Sequence, residues 1–166
     1  TTPYGLFSAI YLEGSASANI DDNTIGATTG NDAITIQTAT AGANSYGIAN
    51  ASSGTVIINN NKIGAITVTG STAAASHAFT AIYSSSSTGN VDITNNLIGS
   101  ASTVRSIRAN TANTVTATGT AQIVYGIFAT GGAGGVVDIT GNQIRNLYTN
   151  ATTTSTSTQL RGISVN

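Results

Sequence analysis

The sequence predicts an all-β fold: a right-handed parallel β-helix, or solenoid, of about four coils of 34–45 residues with long inserted loops. Three observations predict it. One phrase recurs four times, a second recurs five times in step with it, and the composition suits strands and turns rather than helices.

The first phrase reads NIDDNTIG from Asn19, IINNNKIG from Ile57, DITNNLIG from Asp92 and DITGNQIR from Asp138. It aligns Ile20, Ile58, Ile93 and Ile139, then Asn23, Asn61, Asn96 and Asn142, then Ile25, Ile63, Ile98 and Ile144. The second phrase reads SAIY from Ser8, YGIA from Tyr46, TAIY from Thr80, YGIF from Tyr125 and RGIS from Arg161. Its isoleucines, Ile10, Ile48, Ile82, Ile127 and Ile163, are separated by 38, 34, 45 and 36 residues. The step from this phrase to the next isoleucine column is nearly fixed, at 10, 10, 11 and 12 residues. A short constant step inside a variable period is what a rigid strand pair imposes when it repeats in register and loops of unequal length are inserted elsewhere. Coils therefore begin near residues 8, 46, 80 and 125, with a partial coil from 161. Residues 1–166 read as one β-helix domain or a segment of a longer solenoid.

Helices are excluded because the phrases are rich in Asn, Gly, Thr, Ile and Val, all weak in helix interiors. Val91-Asp92-Ile93-Thr94 alternates apolar and polar residues, the period of a strand. Turn formers separate the phrases: NASSG from Asn50, SSSSTGN from Ser84 and TGGAGG from Thr130. Each coil thus reads as strand, turn, strand, Asn turn and a longer excursion. At the Asn turn the backbone must enter left-handed conformations, which Asn and Gly tolerate best, and Asp21-Asp22 meets the same need in the first coil. Stacking places Asn23, Asn61, Asn96 and Asn142 in a column where amides can bond from coil to coil. The flanking isoleucine columns form the core. Right-handedness follows from the crossover preference of parallel strands.

Composition bounds the function. Apolar residues make up 40% of the chain and charged residues 7%, with a net charge of -1. Such low charge, with patterned aliphatic residues, argues against disorder. Five scattered Lys and Arg form no basic patch, so nucleic acid is not an expected partner. No apolar run is long enough to span a membrane as a helix. Absence of cysteine removes disulfides and thiolate metal sites together. The Thr, Ser, Asn and Gly bias suggests an extracellular or cell-surface protein. The chain opens on Thr and starts and stops inside the repeat pattern, which suggests a processed product, a window on a longer solenoid, or a protomer that stacks end to end.

With these phrases laid out, the chain resembles the right-handed parallel β-helix family of secreted proteins that includes pectate lyases. The stretches YGIANASSGTVIINNNKIGAI from Tyr46 and YGIFATGGAGGVVDITGNQIRNL from Tyr125 resemble, more closely, the tandem repeats of very large surface proteins of Bacteroidetes. That resemblance implies adhesins or motility filaments, typically exported by the type IX secretion route.

Candidate chemistry is sparse. Asp92 and Asp138 share a register, near the separation at which retaining glycosidases hold their carboxylates, and stacked acids with calcium also serve polysaccharide cleavage. The equivalent positions in the other coils are Asn19 and Ile57, and no Arg or Lys accompanies the pair, so two solvated carboxylates are the preferred reading. His77 stands alone, poor material for a metal site. Ser is abundant, but no nucleophile elbow or phosphate-binding signature appears. Tyr46 and Tyr125 share one register, Tyr11 and Tyr83 another; packing at a coil corner is preferred over a sugar platform. Thr-rich AITIQTAT, TVTATGT and TTTSTST suggest an ice-binding face or glycosylation, but they fall in excursions whose lengths differ too much for a flat face.

The expectation is therefore a non-enzymatic structural or adhesive module without metal or cofactor. Its partners would be neighbouring copies or coils end to end, with glycans or surfaces against the excursions at 101–123 and 149–159. A polysaccharide-binding or polysaccharide-cleaving β-helix is the alternative, and an ice-binding solenoid a weaker one.

Overall fold

The computed structural model of the chain describes residues 7–38, 43–70, 77–86, 88–110, 122–149 and 158–166. Among them there is no helix, and hence none long and apolar enough to cross a membrane. The first circuit of the chain runs through β1 (Phe7–Leu12), β2 (Ala18–Asp21), β3 (Thr24–Gly26) and β4 (Ile34–Thr38). The second runs through β5 (Ala43–Asn50), β6 (Val56–Asn59), β7 (Lys62–Gly64) and β8 (Ile66–Gly70). The third runs through β9 (His77–Ser84), β10 (Val91–Thr94), β11 (Leu97–Ile98) and β12 (Ile107–Asn110). The fourth runs through β13 (Gln122–Ala129), β14 (Val137–Thr140), β15 (Gln143–Ile144) and β16 (Leu147–Thr149), and β17 (Gln159–Val165) follows.

Every circuit visits four sheets in the same order. The first sheet is β1-β5-β9-β13-β17, and the other three stack β2-β6-β10-β14, β3-β7-β11-β15 and β4-β8-β12-β16. All pairings within them are parallel. The arrangement is solenoid-like: each strand pairs with its equivalent one circuit away.

Isoleucine holds the register because each column keeps one β-branched side chain per rung on the inner face. Ile10, Ile48, Ile82, Ile127 and Ile163 are mutual register partners across the first sheet. Ile20, Ile58, Ile93 and Ile139 are partners in the second sheet, and Ile25, Ile63, Ile98 and Ile144 in the third. The central members are fully buried; Ile10, Ile139 and Ile144 pack partly buried against them. Each fully buried isoleucine stabilises the fold by roughly 1.5–3 kcal/mol. Ile163 keeps the column but not the burial: it is 51% exposed, so it is not core. Edge position alone does not decide this: β17 pairs with β13 alone, but Ile20 and Ile25, on edge strands β2 and β3, stay buried.

Two features of the sequence reading change. The long excursions are not irregular throughout, because each contains a strand of the fourth sheet. Ile34, Ile66, Ile107 and Leu147 form a further inward column there. Its spacing from the preceding column alternates, at 9, 3, 9 and 3 residues, which hides the repeat. The turn also divides its labour. The left-handed positions are Asp22 (φ 57°), Asn60 (55°), Asn95 (55°) and Gly141 (66°), each one residue before the aligned asparagine. The aligned asparagines are thereby left with side chains aimed along the stack. Residues 111–121 and 150–157, the heart of the expected side-projecting excursions, lie outside the described residues.

Candidate functional site

The longest polar feature runs parallel to the stacking direction. Asn61 donates both its main-chain N–H and its Nδ2 to Asn96 Oδ1, at 2.9 and 3.0 Å. Asn96 does the same to Asn142 Oδ1, at 2.9 Å for both bonds, and Asn23 to Asn61 Oδ1, at 3.0 Å for both. The remaining amide protons go to carbonyls: Asn61 Nδ2 to Ile20 O at 2.7 Å, Asn96 Nδ2 to Ile58 O at 2.9 Å and Asn142 Nδ2 to Ile93 O at 2.7 Å. Asn61 and Asn96 are fully buried, so these bonds replace water that cannot enter. The column is directional in its main-chain N–H and Oδ1 groups: each N–H donates toward the fourth circuit and each bonded Oδ1 accepts from the circuit before it. A second, outer row links Asn60 to Asp22 and Asn95 to Asn59.

Asp92 and Asp138 are register partners on β10 and β14. Asp92 is half-buried and Asp138 exposed, and no basic side chain of the described residues bonds to either. No group of three or more His, Asp or Glu among the described residues is placed to hold a metal ion.

The fourth sheet holds an ion pair that the sequence reading missed. Arg108 on β12 donates through Nη2 to both carboxylate oxygens of Asp32, at 2.6 and 2.7 Å, and through Nε to Thr67 Oγ1 at 2.7 Å. Thr67 in turn donates to Asp32. Thr67 and Arg108 are register partners, so this clamp ties three successive circuits. The Thr67 hydroxyl, then the Arg108 guanidinium, hold the Asp32 carboxyl below the usual carboxylate range against an opposing effect of burial. Beside it, Gly30 N donates to Thr103 Oγ1 at 3.0 Å, joining the loops of the first and third circuits over the short turn of the second. Seventy-six residues separate Asp32 from Arg108, and no sequence motif connects them.

Tyr46, Tyr83 and Tyr125, from three successive strands of the first sheet, gather with Phe128. Tyr46 and Tyr83 have ring centroids 4.9 Å apart; Tyr83–Phe128 and Tyr125–Phe128 are stacked at 5.7 and 5.6 Å. They line a shallow groove of about 140 Å³ with Asn44, Ala78, Thr80 and Ile123. Thr80 forms its gap: it is the register partner of both Tyr46 and Tyr125. Tyr125 is fixed by a hydrogen bond to Gln159 and by Arg161 lying 5.5 Å over its ring. Burial and the neighbouring Tyr83 raise the Tyr46 phenol above its ordinary pKa. The shared registers were legible in the sequence; the groove needed Thr80, which no aromatic pattern marks.

No protein-family model, no curated protein and no solved structure matches this chain. The residues and their geometry therefore carry the functional reading. Of the threonine-rich stretches, residues 34–38 form β4, whereas 114–120 and 152–157 lie outside the described residues.

Proposed function

We propose that this chain is a right-handed parallel β-helix whose role is structural and adhesive rather than enzymatic. It would be a repeat module of a secreted or cell-surface fibre, of the kind its phrases resemble in Bacteroidetes surface proteins exported by the type IX route. Stacking would run end to end, against neighbouring coils or copies.

The observation that carries this reading is the directional asparagine column. The same double bond repeats from Asn23, which donates to Asn61, through Asn61 and Asn96 to Asn142, so every described rung of the column is joined to the next. Apolar side chains at the β17 edge add to the argument, since Leu160, Ile163 and Val165 are 52%, 51% and 58% exposed. Open strand edges with apolar flanks favour pairing with a further strand. Asp92 and Asp138, bonded to no basic side chain of the described residues, favour a solvated pair over a lyase or glycosidase centre.

A second reading, a neutral carbohydrate bound to the fibre's side, is favoured by the aromatic groove at Tyr46, Tyr83, Tyr125 and Phe128. Electron microscopy of native material, with the mass of the intact chain measured alongside, tests the first reading. Long thin fibres are expected. Discrete single-chain particles at all concentrations would overturn it and make the groove the first place to test.

A further inference from the structure

The single histidine of the chain lies inside the stack. Ala43, His77 and Gln122 are register partners at the start of β5, β9 and β13. His77 is 1% exposed, and Ser45 on the rung below is fully buried with its Oγ 2.9 Å from His77 Nε2. Nδ1 is enclosed too and reaches no hydrogen bond of good geometry, although the Thr69 main chain offsets part of the cost of a charge there. A neutral imidazole fits this setting. An imidazolium adds a second N–H donor and a charge, both far better served by water.

Among the described residues, no carboxylate forms an ion pair with His77. β9 packs on β5, β8, β12 and β13. β5, β8 and β13 contain no Asp, Glu, Lys or Arg. The titratable groups of β5 and β13, Tyr46 and Tyr125, line the outer groove together with Tyr83 of β9 itself. β12 brings Arg108, which is engaged with Asp32. The connecting sequences 39–42, 71–76 and 111–121 contain no charged residue either.

We propose that His77 is an acid-sensitive latch: neutral, it pins the start of β9 between β5 and β13, and protonated, it releases that strand end so that the stack loosens in mildly acidic surroundings. The latch does not depend on how the ends of the fold are occupied.

The sign follows from linkage. Burial lowers the His77 pKa below the ordinary value of 6.5. Above that value both folded and unfolded chains carry a neutral ring. Below it the unfolded chain takes up the proton first, so stability falls as pH drops toward the folded pKa.

Two readouts test the latch on the full chain. Imidazole proton resonances of the sole histidine, followed by NMR from about pH 8 to about pH 4, report its protonation without overlap. Thermal melts read by tyrosine fluorescence follow Tyr46, Tyr83 and Tyr125 on the same three strands, with no tryptophan to mask them. The ring is expected to titrate below its ordinary value. The parent's midpoint is expected to fall by about 3–6 °C between about pH 7 and pH 5, and His77→Gln to lose that fall. A ring titrating at or above the ordinary value overturns the latch, as do equal falls in parent and variant. If His77→Gln does not fold, the titration of the parent decides alone.

Discussion

Asn96 gives its main-chain N–H and its side-chain Nδ2 to the same acceptor, Oδ1 of Asn142, at 2.9 Å each. One carbonyl oxygen thus closes two bonds across a rung, and the pattern repeats below it. Asn96→Leu removes the doubly loaded acceptor of Asn61 and two donors at a fully buried site. It should destabilise the fold by about 1–3 kcal/mol or more. Asn23→Leu, at the half-buried first position of the column, where Asn23 donates to Asn61, should cost less. Chemical denaturation of both variants checks the order, and an Asn96→Leu midpoint equal to the parent's would make the column incidental.

Glycine marks where rungs touch. At Gly99 (φ 82°) an added Cβ would lie 1.8 Å from Arg145 main-chain O, whereas at Gly30 (φ 77°) it would meet open space. Gly30→Ala bears only the left-handed backbone penalty, about 1–2 kcal/mol. Gly99→Ala bears that and a main-chain collision, so it should unfold at distinctly lower denaturant. Equal midpoints would show that the third-sheet rungs are not so closely apposed.

The Asp32–Thr67–Arg108 clamp predicts an acid response separate from that of His77. Because the folded pKa of Asp32 is depressed, its contribution is fully present above the unfolded value and is lost as pH falls below about 4. Asp32→Asn should lower stability near neutral pH and flatten the decline below about pH 4. The effect should be modest and salt-sensitive, since the Asp32 side chain is 45% exposed. A variant that tracks the parent through that window would contradict the assignment.

Column position and burial separate at the edge. Ile82→Ala, at a fully buried rung, should cost about 2–5 kcal/mol. Ile163→Ala, in the same column but 51% exposed, should cost under about 1 kcal/mol in the isolated chain. Thermal melts of the two variants decide.

Much of this arrangement was legible because stacking forces repetition: a column such as Ile20, Ile58, Ile93 and Ile139 is visible wherever the step between columns is constant. The fourth sheet was hidden because loops ahead of Ile34 and Ile107, but not ahead of Ile66 and Leu147, shift its column in and out of phase. The left-handed duty of Asn60 and Asn95 was blurred because each adjoins an asparagine of the bonded column, and residue type alone does not divide the two roles. Asp32 with Arg108, and the groove centred on Thr80, join residues of different circuits whose types follow no repeat. Only the fold brings them together.

The central claim is that each strand stacks on its equivalent one circuit later, and the absence of native cysteine makes it directly testable. Asp92→Cys with Asp138→Cys places two thiols on register partners of adjacent parallel strands. Those strands lie about 4.8 Å apart, within the range a disulfide spans. Asp92→Cys with Thr140→Cys, offset by two residues on the same face, separates the thiols' α-carbons by about 8 Å, beyond that range. Oxidation followed by mass spectrometry of proteolytic fragments should find a near-complete intrachain disulfide in the first variant and little in the second. No disulfide in the first, or equal yields in both, would contradict the stacked register on which the account stands.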